Sequence, residues 1–215
     1  MSKPYSESDL SEQLSRDRIW RIREISDLKI ATERADRVLR PVLLRSLVTM
    51  SYAHWEGSIR FSAKKYLDHI ALRRFRFDQL NGQFTKNYFL PRLAALSQTK
   101  FGISDRCALI DDILASSEKQ FKHVNEALVD TKANLNFSVF SDICLVCGVE
   151  IETFKSKETF IDVILLKRRN AIAHGEETLV GFDELESITA DAIGLMRAFG
   201  DALENQAYSK TYRAA

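Results

Sequence analysis

Arg169, Asn170 and His174 stand within six consecutive residues and offer a fixed cation, a neutral amide and an imidazole that titrates near neutral pH. Those groups suit the cutting of a phosphodiester. RNA can be cleaved without a metal when one group takes the proton of the 2′-hydroxyl and another gives a proton to the departing 5′-oxygen. Arg169 would then stabilise the charge that builds on the phosphoryl oxygens. On a straight α-helix Asn170 and His174 lie about 40 degrees apart, whereas Arg169 lies about 140 degrees from His174. An ideal helix therefore does not converge all three. Either the helix is broken near Arg169, or the long arginine stem wraps round, or a second copy of the segment completes the site across a two-fold axis, with two facing imidazoles dividing the acid and base tasks. An R-x-x-x-x-H spacing alone arises often by accident. Its plain alternative is a solvated Arg169 and Asn170, with His174 placed favourably against the helix dipole.

The elements that must position these residues read as helices. Ser6 with Asp9 three residues on forms a capping-box pattern that starts a helix running towards Arg40, where Pro41 ends or kinks it. Beyond it Leu44, Val48, Tyr52, Trp55, Ile59, Ala63, Tyr66 and Ile70 recur at three- and four-residue steps, the mark of a long amphipathic helix facing a core. Asn81-Gly82 signals a loop or broken helix, followed by a helix over residues 88–96. Ser104 caps a helix through Leu114, and an apolar helix over residues 137–146 ends near Gly148. Ser156 with Glu158 opens the helix that carries the Arg169 segment, and Gly175 is placed to stop it. Asp183-x-x-Glu186 caps a last helix whose stripe is Leu185, Ile188, Ala192, Leu195, Met196, Phe199 and Leu203.

Composition agrees. The 215 residues suit one domain, and 8 Gly with 3 Pro are too few for a turn-dense β protein. With 31 Lys+Arg against 30 Asp+Glu, the formal charge of +1 supplies no global field for nucleic acid or an anionic membrane, so any RNA contact is local. The N-terminus lacks the apolar core of a signal peptide, and no run of about 18 apolar residues suggests a membrane span. Three cysteines make no disulfide framework. These features point to a soluble, cytoplasmic chain. Cys144 and Cys147 form a C-x-x-C, but in an apolar run and without further ligands at recognisable spacing, so buried thiols fit better than a metal or redox pair.

The string Leu165-Leu166-Lys167-Arg168-Arg169-Asn170-Ala171-Ile172-Ala173-His174-Gly175-Glu176 resembles the R-N-x-x-x-H signature of the HEPN superfamily, including the trailing H-G-E. Upstream, Ser51-Tyr52-Ala53-His54-Trp55-Glu56-Gly57 is similar to a helix of the MAE-type HEPN-like nucleases. The resemblance spans residues 42–203, with few matches over residues 73–155. It implies an all-α, single-domain helical bundle with long antiparallel helices. Residues 1–41 would be an N-terminal helix packed on the bundle, residues 42–208 the HEPN-like domain, and residues 209–215 a flexible tail. It also implies a metal-independent endoribonuclease of a toxin–antitoxin or other prokaryotic defence setting, without cofactor, acting on RNA as a homodimer with a composite site and answering to an antitoxin or sensor protein. Other members bind RNA, a nucleotide or a protein partner without cutting. By position, Arg169 and His174 match the catalytic pair and Asn170 the supporting amide.

Glu56 sits at the edge of the apolar stripe and wants a partner, either Arg60 one turn on or, between helices, Arg169 or His174. Lys167 and Arg168, beside the motif, are placed to hold RNA backbone. The run Arg73-Arg74-Phe75-Arg76-Phe77 interleaves cations with rings, which suits phosphates and bases but suits better a helix end whose phenylalanines enter the core. His54, on the polar side of its helix, and His69 and His123 show no partner pattern.

Overall fold

Helix α2, Arg40–Leu72, is the axis of the chain: 33 residues, hence about 50 Å long. A computed structural model describes residues 3–98, 102–132 and 134–214. The stripe that predicts α2 is its buried face, with Tyr52, Trp55, Ile59, Ala63, Tyr66 and Ile70 all enclosed. Helices α1 (Glu7–Arg34) and α7 (Leu185–Ser209) pack on α2 and on each other. Helix α5 (Phe137–Cys147) and a wound stretch over residues 151–173 close the remaining side. Phe140 is the hub, its ring centroid 5.9 Å from that of Trp55, 5.1 Å from Phe154 and 5.6 Å from Phe199. Helices α3 (Gly82–Gln98) and α4 (Ile103–Leu114) form an outlying pair. The described residues contain no strand, only two isolated bridges, so the architecture is the all-α bundle the periodicity predicts.

The local signals explain most boundaries. At the start of α1 the Ser6 hydroxyl accepts from the Asp9 N–H at 3.0 Å and the Asp9 carboxylate accepts from the Ser6 N–H at 2.9 Å. Gly148, at φ +71°, closes α5 as expected. Cys144 and Cys147 lie in the core, where burial pushes the Cys144 pKa up to about 12 and raises that of Cys147 as well. The phenylalanines of the basic-aromatic run also turn inward. Phe77 is buried and Phe75 packs on the core, while Arg73 pairs with Glu7 at 2.9 Å and Arg76 with Glu118 at 2.8 Å.

Elsewhere the boundaries depart from the sequence reading, some through local turns and some through tertiary contacts. Helix α1 stops at Arg34, short of Arg40, because the Asp36 carboxylate accepts from the N–H groups of Val38 and Leu39 and turns the chain; Pro41 opens α2 instead of ending α1. Asp183 and Glu186 do not frame the start of α7. The Glu184 carboxylate accepts from the Gly181 N–H at 2.9 Å, and Glu186 pairs with Lys29 of α1. The tail expected to fray is docked as far as Ala214. Tyr212 is buried, its carbonyl accepts from the Asn81 N–H at 2.8 Å, and the Ala214 N–H reaches the Gln79 carbonyl at 3.0 Å; Ala215 lies outside the described residues. His54 is buried too, because α1 covers that side of α2: Trp20 meets its ring edge-on at 5.1 Å and the Glu24 carboxylate stands 3.0 Å from its Nε2. His69 is fully enclosed, with Nδ1 at 2.9 Å from the Pro4 carbonyl.

Candidate functional site

The segment that carries Arg169, Asn170 and His174 is reached through a change of winding. Residues 151–157 form a 3₁₀ stretch, so helical structure begins before Ser156; Phe160–Lys167 is π-helical; and α6, Arg168–Ala173, is an ordinary α-turn and a half. The helix is thus not broken at Arg169 but rewound directly before it. Its bulk is held on both flanks. The Asp162 carboxylate accepts from the Phe137 N–H at 2.7 Å, tying the π stretch to the start of α5, and Lys157 pairs with Asp191 of α7 at 2.7 Å. Ile161 and Leu165 are buried against the core.

Because Arg169 and His174 both belong to α6 and its cap, their divergence of about 140 degrees survives the rewinding. Arg169 turns inward to α2, half-buried, with its guanidinium carbon 4.1 Å from the centre of the Tyr52 ring. His174 turns outward and is exposed. Its N–H closes the last turn on the Asn170 carbonyl at 3.0 Å, and Gly175, at φ +79°, takes the left-handed conformation that ends the helix where the sequence placed its stop. Asn170 is half-buried between the two.

Tyr52 is itself held. Its hydroxyl accepts from the Leu135 N–H at 2.6 Å, and Trp55 meets its ring at 6.0 Å. Burial raises the pKa of the phenol, the Glu56 carboxylate adds to that, and Arg169 opposes both. Glu56 is half-buried and its charge is felt at Tyr52; among the described residues it forms no ion pair with Arg60 or with His174. Of the two residues expected to hold RNA backbone, Lys167 is exposed, whereas Arg168 is bound to Glu184 at 2.8 Å and braces α6 against the turn before α7. That bond is the first cause of a lowered Glu184 pKa.

Two features escape a reading of the sequence. Arg45 of α2 donates to the Glu176 carbonyl at 3.1 Å, pinning the turn that follows His174. Beside that turn lies an open groove of about 550 Å³ lined by Val42, Arg45, Ser46, Thr49, Met50 and Ala53 of α2 and by Ile172 of α6. Its α2 residues recur at three- and four-residue steps, a second stripe that the stronger core stripe hides. Val42 is 58% and Met50 38% exposed, so apolar surface is presented to solvent beside α6. A more enclosed cavity lies between α3 and residues 121–128, where the Asn87 amide donates to the Val146 carbonyl and Arg92 pairs with Asp112. Among the described residues no group of three His, Cys, Asp or Glu side chains is gathered to hold a metal ion, and no helix is long and apolar enough to cross a membrane.

A family model described as RiboL-PSP-HEPN matches residues 16–205, from within α1 to within α7. No curated protein and no solved structure matches the chain.

Proposed function

Since the chain belongs to the RiboL-PSP-HEPN family, within the HEPN superfamily, we propose that it is a metal-independent endoribonuclease that works as a symmetric homodimer in a toxin–antitoxin or other prokaryotic defence setting. One observation carries the reading. His174 is exposed, while Arg169 is held half-buried on the other side of the same short helix. A single chain thus leaves its imidazole and guanidinium pointing apart, and a second copy of the chain would bring a second imidazole to complete the site. Ile172 of α6 lines an uncovered apolar groove with α2, so a copy resting there meets the helix that carries the motif.

In the composite site one His174 imidazole takes the proton of the 2′-hydroxyl. The 2′-oxygen attacks the adjacent phosphorus, and the bond to the 5′-oxygen breaks as the partner imidazole donates a proton to it. The products are a 2′,3′-cyclic phosphate and a free 5′-hydroxyl. Arg169 stabilises the phosphoryl oxygens as charge develops, Asn170 supplies an amide donor, Glu56 keeps a carboxylate near the arginine, and Lys167 is an exposed cation for the backbone.

The test is cleavage of a labelled RNA pool in EDTA by wild type, by His174→Ala and by Arg169→Ala, each of verified fold. Cutting by wild type alone, with cyclic-phosphate ends and none on a substrate bearing 2′-deoxy at the cut site, is the expected outcome. Undiminished cutting of the 2′-deoxy substrate would rule the mechanism out. A second reading is a module that binds RNA, a nucleotide or a protein partner without cutting, as other members of the superfamily do; the Arg168–Glu184 bond takes a cation beside the motif away from any substrate. The second reading predicts a folded protein that binds RNA, cuts none, and loses binding in His174→Ala.

A further inference from the structure

Tyr52 touches the proposed machinery from inside the bundle, and nothing in the motif names it. Its ring is fixed on three sides: the hydroxyl by the Leu135 N–H at 2.6 Å, one edge by Trp55 at 6.0 Å, and the face by the Arg169 guanidinium at 4.1 Å. The ring is 1% exposed, so it has no freedom to follow a moving arginine; the arginine must follow the ring. A guanidinium held over an aromatic face is fixed there by the ring's negative face, and its planar fork of N–H donors has directions that a point charge lacks. We propose that Tyr52 is the positioning residue for Arg169: its ring face holds the guanidinium where it meets the phosphoryl oxygens, and the backbone of Leu135 sets the ring. Burial and the Glu56 charge both favour the protonated phenol, which keeps the face neutral and the hydroxyl anchored. A lysine at position 169 could carry the charge but has no plane to register against the ring.

The kinetic consequence rests on the ribonuclease reading, whereas the geometric one does not, so the experiment has two arms. In the first, the Nε–Hε resonance of Arg169, assigned by its absence from Arg169→Lys, is expected upfield of the other arginines through the ring current of Tyr52. It should return among them in Tyr52→Leu and stay in Tyr52→Phe. A resonance indifferent to Tyr52→Leu overturns the proposal, even if wild type proves to cut no RNA and the ribonuclease reading falls by itself. In the second, single-turnover cleavage by Tyr52→Leu is expected to fall about 100-fold in kcat with KM unchanged, the scale of a misplaced catalytic group. Tyr52→Phe should fall by no more than about 10-fold, since it keeps the face and loses only the anchor. Tyr52→Leu introduced into Arg169→Ala should cost nothing further. Because Tyr52 is enclosed and its leucine variant can disturb folding, Arg169→Lys supplies the arm that leaves the core alone. Loss as deep as that of Arg169→Ala supports the stacking role, and near-wild-type cleavage by Arg169→Lys overturns it.

Discussion

The two halves of α2 live in different surroundings although they are one uninterrupted helix. From Trp55 to Ala71 the helix is wrapped by α1, α5, α7 and residues 126–129, and even polar side chains such as Ser58, Ser62 and His69 are buried. From Arg40 to Ala53 one face packs inward through Leu44, Leu47 and Val48, while the opposite face, with Val42 and Met50, stays open beside α6. The enclosed half holds the bundle together. The half-open one carries an apolar stripe exposed to solvent, the face on which the proposed dimer would close. Tyr52 and Arg169 meet where the two regimes join, so the site is anchored in the rigid half and displayed from the open one.

That contrast can be broken in several places. The largest effect belongs to the open side: His174→Ala should lower cleavage by about 10²–10⁴-fold, the range of a lost general acid or base, while changing unfolding free energy by no more than about 0.5 kcal/mol because the residue is exposed. A comparable loss of stability would place His174 in the scaffold instead. In the enclosed half the pattern should reverse. Ile59→Ala leaves a cavity among fully buried neighbours and should cost about 2–5 kcal/mol in urea unfolding, with cleavage by the folded fraction intact. Met50→Arg puts a charge into the groove; it should leave the monomer's stability nearly unchanged and shift the sedimenting species from dimer to monomer, and an unmoved sedimentation coefficient would remove the groove from the interface.

The smallest effect is a dependence on pH. Burial lowers the pKa of His54, with Glu24 opposing, and likewise lowers that of His69. The folded chain then binds fewer protons at these rings than the unfolded chain does. Their contribution is complete above the unfolded value of about 6.5 and is lost as pH falls from there through the lowered folded values. Urea unfolding between pH 7.5 and 5 should show stability falling with pH, and His54→Gln should flatten part of that slope.

How much of this was legible follows from how local each feature is. The α2 stripe, the Ser6–Asp9 box and the stops at Gly148 and Gly175 depend on residues within a turn or two of each other, and they read directly from the sequence. So did the divergence of Arg169 from His174, which is helix geometry alone. Features that need a distant partner did not read. The π winding of Phe160–Lys167, the stacking of Arg169 on Tyr52, the Arg45 bond to Glu176 and the docking of Tyr212 each join segments far apart in the chain. Arg168 shows the limit of composition: beside the motif it reads as a phosphate ligand, and only the fold brings Glu184 to it. Glu56 shows the same limit in another form, since Arg60 lay at a plausible position one turn on, while the effect of its charge on Tyr52 depends on how that ring is enclosed.

The π-helical stretch before α6 has a consequence for how the motif can change over generations. A wider winding holds its neighbours in register by how many residues it contains, more than by which residues they are. Removing one residue between positions 160 and 167 would change the register across the stretch and turn everything downstream about the helix axis. Arg169 would leave Tyr52 and Arg168 would leave Glu184, although every side chain of the motif would still be spelled in order. A single in-frame codon deletion there is thus a short mutational route to a chain that keeps the signature and loses its aim, so descendants are better compared by the length of this stretch than by the letters after it.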